Sequence, residues 1–185
     1  MSRNSRFCVL LIITILFCLP EVFAKTESWI GKPAKSIFGR NLNGKMVYLS
    51  DYCGGRCPLE QRKITMVHFF STSCKPCLKE IPAIKKLIET LPEEKFAVLM
   101  ISVGDPAGSV IKYRDEHGVK AAFILDKYGT NAKRWGVAKT NGRKTTFDLP
   151  YTFIVDGGGI LREVLPGAHV DLDKIVLKKF KQLNK

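Results

Sequence analysis

Ile64-Thr65-Met66-Val67-His68-Phe69-Phe70 runs for seven positions without the polar alternation of a strand that faces water on one side. Such a run fits a strand buried on both faces, in the middle of a sheet covered by helices. Ser71-Thr72-Ser73 interrupts it with residue types that cap helix N-termini. From Cys74 onward the spacing turns helical, because Cys77, Ile81, Ile84, Ile88 and Leu91 recur at steps of three or four on one face. Pro82 lies inside this pattern and predicts a kink. A buried strand feeding directly into an amphipathic helix commits this part of the chain to a layered arrangement of sheet and helix.

The rest of the chain extends the pattern. Phe96–Val103 reads as a second buried strand, and Gly108–His117 as a helix stopped by Gly118. Ala121–Leu125 reads as a short strand, and Tyr128–Trp135 as a short helix closed by Gly136. Tyr151–Val155 and Ile160–Leu165 form a hairpin around Asp156-Gly157-Gly158-Gly159. Asp171–Leu183 predicts a C-terminal amphipathic helix, with Leu172, Ile175, Val176, Lys179 and Phe180 along its inward stripe. Residues 25–60 read as an irregular lead-in, with one short strand over Lys45–Ser50 after the Asn43-Gly44 turn signal. Early alternation implies parallel pairing through crossover helices, and the late hairpin adds antiparallel strands. The expected fold class is therefore α/β, a mixed central sheet with helices on both faces.

The first residues stand apart from this core. Arg3 and Arg6 precede an uncharged apolar run over Phe7–Leu19, and Val22-Phe23-Ala24 places small residues at the offsets of a cleavage site. This is the layout of a secretory signal peptide over residues 1–24. As a helix the run would be about 20 Å long, short of the ~30 Å hydrocarbon core. An uncleaved membrane anchor is the alternative. Cys18 follows the bulky Phe17, which argues against a lipoprotein cleavage site.

Of the formal net charge of +13, the first 24 residues carry +1 and the remainder +12. The lysines are dispersed rather than clustered, and no nucleic-acid motif is present, so a solvated basic face accounts for them. Export leaves Cys53, Cys57, Cys74 and Cys77, too few for a disulfide-stapled scaffold of this length. Two close pairs in an oxidising compartment point to redox or metal chemistry. A four-cysteine zinc cluster is disfavoured, because the buried strand of roughly 23 Å separates the pairs.

Cys74-Lys75-Pro76-Cys77 sits where the strand passes into the helix. Two intervening residues wound into a first helical turn bring the sulfurs within disulfide reach. Cys74 at the helix tip meets unpaired N–H groups that favour its thiolate, and Lys75 adds positive charge. Cys77, one turn in and on the apolar face, is the buried partner that would resolve a mixed disulfide formed at Cys74. Glu80 either exchanges protons with Cys77 or simply favours the helix dipole. Cys53 and Cys57 are spaced for a local disulfide, with Gly54 and Gly55 permitting the turn; a second relay pair and a copper site are alternatives. His68 reads as a satisfied core histidine, His169 as a surface residue, and Trp29 and Trp135 as packing residues.

The stretch Val67–Cys77 resembles the active-site strand and turn of thioredoxin-like proteins, and Glu80-Ile81-Pro82 is similar to the TlpA/ResA branch of exported thiol–disulfide oxidoreductases. The resemblance extends over roughly residues 45–185. It implies a thioredoxin-like domain over residues 61–185, preceded over residues 25–60 by an extension carrying the Cys53/Cys57 loop. It implies a redox-active Cys74–Cys77 pair, Glu80 near the sulfurs, and Pro150 as a cis-proline beside them within Leu149-Pro150-Tyr151-Thr152-Phe153-Ile154-Val155-Asp156. Leu149, Lys75 and Pro76 are then expected to contact the substrate. Phe70 and Ser73 depart from aromatic residues common just before the first cysteine, and the Cys53–Cys57 segment looks like an insertion.

The expected protein is a periplasmic monomer, cleaved or held by its N-terminal segment. It would need no cofactor and no metal, and would act on disulfides of exported proteins, including apocytochrome c in cytochrome c maturation. A membrane thiol reductant would supply its electrons, and nucleic acid is not an expected partner. Two other activities compete. One is a thiol peroxidase, although Ser71 stands where that chemistry expects threonine three residues before the reactive cysteine. The other is a copper chaperone using Cys74 and Cys77, or Cys53, Cys57 and His169.

Overall fold

The computed structural model describes residues 29–185. The signal peptide expected over residues 1–24, with Cys8 and Cys18, lies outside them. In chain order the elements are β1 (Phe38–Arg40), β2 (Met46–Tyr48), β3 (Ile64–Phe70), α1 (Lys75–Leu78), α2 (Ile81–Thr90), β4 (Phe96–Val103), α3 (Ala107–His117), β5 (Ala122–Asp126), α4 (Thr130–Arg134), β6 (Ala138–Asn141), β7 (Lys144–Phe147), β8 (Tyr151–Val155), β9 (Leu161–Pro166) and α5 (Leu172–Leu183). Single 3-10 turns over Leu49–Asp51 and Leu59–Gln61 join β2 to β3. Among the described residues no helix is long and apolar enough to cross a membrane.

Seven strands form one sheet in the order β2-β1-β5-β4-β3-β8-β9. All seven side chains of β3 are buried because the strand is paired on both edges and covered on both faces. On one edge β4 runs parallel, from Ile64 opposite Phe96 to Phe70 opposite Ser102. On the other β8 runs antiparallel, from Thr65 opposite Val155 to Phe69 opposite Tyr151. The chain steps from β3 to β4 to β5 in a single direction. Right-handed crossovers taken in one direction leave their helices on one face. Ile81, Ile84 and Leu87 of α2 and Val110 and Tyr113 of α3 accordingly share a core with Met66, Phe70, Val98 and Met100, and Leu172, Val176 and Phe180 of the C-terminal α5 pack into the same core. Val67, Phe69, Leu99 and Ile101 point the other way, onto Ile37, Leu49 and Cys53 of the lead-in and Ala132 and Trp135 at α4. Each fully buried side chain of this size contributes roughly 1.5–3 kcal/mol.

Three local expectations differ from the structure. The lead-in is not irregular throughout: β1 pairs with β2, Phe38 opposite Tyr48, and joins the main sheet through Arg40 opposite Leu125. Three-residue strands carry too little periodicity to be seen in sequence, and the decisive residue is Gly39, where a Cβ would meet Ile124 at 2.6 Å. The helix from Cys74 does not kink but divides, with Lys79 and Glu80 between α1 and α2. Pro82 falls in the first turn of α2, where its missing N–H costs nothing. Finally, β6 and β7 form a separate antiparallel hairpin around Gly142-Arg143, Ala138 opposite Phe147. Its Lys, Thr and Asn residues lack the burial pattern that marks a core strand.

Candidate active site

At the end of β3 the chain turns through Ser71–Ser73, and Cys74 becomes the N-cap of α1 in an extended backbone conformation. The Cys77 N–H donates to the Cys74 sulfur at 3.2 Å. Cys74 and Cys77 are joined in a disulfide with their Cα atoms 5.3 Å apart. The two sulfurs differ in environment: Cys74 is half-buried, whereas Cys77 is fully buried in the core shared by α2, α3 and α5. Lys75 and Pro76, between them, are exposed beside the disulfide.

A residue that sequence reasoning passed over fixes this turn. Asp105, two residues past β4, accepts the Thr72 amide at 2.9 Å and the Thr72 hydroxyl at 2.8 Å, one on each carboxylate oxygen. It also accepts the Ser102 hydroxyl at 2.6 Å. Hydrogen bonds to a charged acceptor contribute about 1.5–3 kcal/mol each. The only local signal was the Gly104-Asp105-Pro106 turn at the carboxyl end of a buried strand.

Glu80 follows Cys77 by three residues and is 1% exposed. It makes no cap hydrogen bond to α2. Instead its Oε1 accepts the His169 amide at 2.9 Å, so His169, expected at the surface, closes the site through its backbone. The His169 ring turns away, with Nε2 3.1 Å from the Pro166 carbonyl. Burial pushes the Glu80 carboxyl up to about 7, with the His169 N–H opposing it. His68 lies on the same face, two residues from Met66 and from Phe70 along β3. It is fully buried, and burial pushes its imidazole down to about 3. Its Nδ1 is 2.8 Å from the Thr152 hydroxyl directly across the sheet. Its Nε2 has no partner, so it is only half satisfied.

Leu149-Pro150 is a cis peptide. Register places it beside the turn that leads to Cys74, because Tyr151, the next residue, pairs with Phe69 near the end of β3. The Pro150 carbonyl accepts the Gly167 amide at 3.0 Å. The Leu149 backbone has no hydrogen-bond partner among the described residues. One end of the sheet thus gathers Cys74, Cys77, Lys75, Pro76, Glu80, Leu149 and Pro150.

Cys53 and Cys57 are not part of that gathering. They are free thiols, buried to 3% and 2%, near the opposite end of β3, where the Lys63 amide donates to the Tyr52 carbonyl. Burial pushes the Cys53 thiol up to about 11. Their loop docks on the β8–β9 turn by close backbone approach. A Cβ on Gly159 would lie 2.9 Å from the Gly54 Cα, and both glycines have positive φ. Among the described residues no three His, Cys, Asp or Glu side chains are placed to hold a metal ion, and His169 is not brought to Cys53 and Cys57.

Comparison with known proteins agrees with this geometry. The model of the AhpC/TSA family matches residues 30–164, starting earlier than the stretch whose resemblance was legible in sequence. The thiol-disulfide oxidoreductase ResA of Geobacillus thermodenitrificans is 26% identical over 143 residues, 77% of this chain and 72% of that protein. The thiol:disulfide interchange protein DsbE homolog of Paracoccus denitrificans is 32% identical over 137 residues, 74% of this chain and 65% of that protein. In structure, the peroxidoxin BcpB of Mycobacterium tuberculosis superposes with a TM-score of 0.66 at 19% identity, covering 84% of this chain and 96% of that one, a likeness of fold alone. With a Cys-X-X-Cys disulfide at the tip of the helix that follows the interior strand β3, the chain belongs to the AhpC/TSA family as a thioredoxin-like thiol–disulfide oxidoreductase of the ResA/DsbE type.

Proposed function

We propose that this enzyme exchanges thiols for disulfides in exported proteins, with Cys74 as the attacking sulfur and Cys77 as the resolving one. The observation that carries this reading is the unequal burial of two bonded sulfurs: Cys74 half-buried at a helix cap, Cys77 at 0% exposure. In the reduced protein the Cys74 thiolate, stabilised by the Cys77 amide, attacks a substrate disulfide and releases one substrate sulfur as a thiolate. Cys77 then attacks the Cys74 sulfur and releases the second. Two electrons pass from the dithiol to the substrate, and the Cys74–Cys77 disulfide remains. Glu80 takes the Cys77 thiol proton as that attack begins; a carboxyl near 7 is suited to accept and return a proton close to neutrality. The unpaired backbone of Leu149 offers an extended peptide strand-like hydrogen bonds beside the disulfide. Exposed Lys75 and Pro76 form the opposite lip.

The basic start and apolar run of residues 1–24 support export to the periplasm, and the resemblance of Glu80-Ile81-Pro82 to the TlpA/ResA branch, some of whose members serve cytochrome c maturation, supports apocytochrome c as a substrate. A membrane thiol reductant then recycles the disulfide. Trapping tests the reading. Cys77→Ala should accumulate mixed disulfides through Cys74 with exported proteins, and Cys74→Ser should accumulate none and lose insulin reduction. Full insulin reduction by Cys74→Ser would remove Cys74 from the attacking role.

A further inference from the structure

Two buried polar atoms face one another between β3 and the α1–α2 junction without a hydrogen bond. They are His68 Nε2 and Glu80 Oε2, 3.9 Å apart, with both side chains fully shielded from solvent. Buried polar atoms are rarely left unpaired, and a pair of complementary orphans at this distance is about 1 Å beyond hydrogen-bond reach. The other atom of each group is already engaged: Glu80 Oε1 with the His169 amide, and His68 Nδ1 with the Thr152 hydroxyl.

Proton accounting decides which atom donates. Thr152 is 1% exposed, and among the described residues its hydroxyl proton has no acceptor but His68 Nδ1. A hydroxyl that donates to Nδ1 leaves the single proton of the neutral ring on Nε2. We propose that His68 is a positioning residue for Glu80: fixed in the Nε2–H tautomer by Thr152, it aims its N–H at Glu80 Oε2 across 3.9 Å and closes to a hydrogen bond as the carboxylate charges, holding it ready to receive the Cys77 proton. This rests on the reading of Glu80 as the proton acceptor of Cys77. With the His169 amide as its one donor the buried carboxyl stands at about 7, roughly half ionised at neutrality, and a second donor favours the ionised form that accepts a proton.

The groups around the pair leave this proton exchange to Glu80. His68 itself is driven by burial to about 3 and stays neutral while Glu80 titrates. Tyr113, reaching in from α3, is raised above its ordinary value by burial and then by the Asp105 and Glu80 charges, so its phenol stays protonated. Its hydroxyl is the third unpartnered buried side-chain atom among the described residues. His169 meets Glu80 through its amide only. Cys77, from α1, is the sulfur the carboxylate serves.

The test is NMR on the exported chain. Nitrogen shifts of His68 should report an Nε2–H tautomer on both sides of neutrality, and Thr152→Val should mix the tautomers. Carboxyl titration of Glu80 should move up by about one unit, a tenfold change in its ionisation constant, in His68→Phe, and should move less in His68→Asn, which keeps an N–H donor. An Nδ1–H tautomer in the parent chain, or a Glu80 titration unchanged in folded His68→Phe, would overturn the proposal. If His68→Phe does not fold, the tautomer measured in the parent chain decides alone. The underlying reading of Glu80 fails separately: the pH profile of exchange would then be the same in Glu80→Gln as in the parent, whatever the titration shows.

Discussion

The amide of Cys77 points at the sulfur of Cys74 from 3.2 Å, so the residue proposed to resolve the mixed disulfide also lends an N–H to the sulfur proposed to form it. The helix turn that brings the sulfurs together sets this arrangement, which makes the two cysteines chemically unequal. In the reduced protein, alkylation by iodoacetamide should fall on Cys74 before Cys77, with an apparent pKa below the ~8.5 of a free thiol. Peptide mapping after a short pulse checks it. Equal labelling of both cysteines would mean that burial does not separate them.

Glu80 should make stability depend on pH in a specific direction. Burial raises its carboxyl from 4.5 to about 7, so the folded chain binds this proton more tightly than the unfolded one. The associated stabilisation is present below about pH 4.5 and is lost as pH rises through about 7, by about 3 kcal/mol at most. Glu80→Gln removes the titration. Urea unfolding from pH 5 to 8 should show the variant gaining on the parent as pH rises, whereas a constant difference would mean that Glu80 does not titrate there.

Asp105 should matter more than its place outside the Cys-X-X-Cys motif suggests. Asp105→Ala breaks three hydrogen bonds to Thr72 and Ser102 and frees the turn that presents Cys74. We expect a loss of about 3–5 kcal/mol, somewhat below the sum of three such bonds because the half-buried Thr72 groups regain water, and a slower exchange rate. Thr72→Val, which loses the hydroxyl contact but keeps the amide one, should show a smaller effect on both. Denaturant midpoints and insulin turnover measure them.

The Cys53 thiol should be slow to react in the folded protein, being 3% exposed and raised to about 11. Gly159→Ala forces a Cβ to 2.9 Å from the Gly54 Cα at a φ of +82°. We expect it to cost about 1–3 kcal/mol and to loosen the Cys53–Cys57 loop. A thiol reagent at pH 8 should then reach Cys53 faster, while exchange at Cys74, near the other end of β3, keeps its rate. Unchanged protection of Cys53 would show that the glycine contact does not hold the loop.

Local patterning determined much of this protein. The unbroken run Ile64–Phe70 is an interior strand with the boundaries it predicted, and Phe96–Val103 and Tyr151–Val155 are strands with theirs. The Cys74–Cys77 spacing at the strand–helix junction was legible because strand, turn and helix start are consecutive in sequence. Thr72 meets Asp105 across 33 positions, His68 meets Thr152 across 84 and Glu80 meets His169 across 89. No local period encodes such meetings. They follow from the register of β3 against β8, from two crossovers of one hand that place α2 and α3 on a single face, and from the packing of the C-terminal α5 onto that same face. Periodicity records which face of an element is buried, because burial acts residue by residue. Which polar atoms meet inside that buried layer depends on how the elements are stacked, and only the tertiary structure decided that.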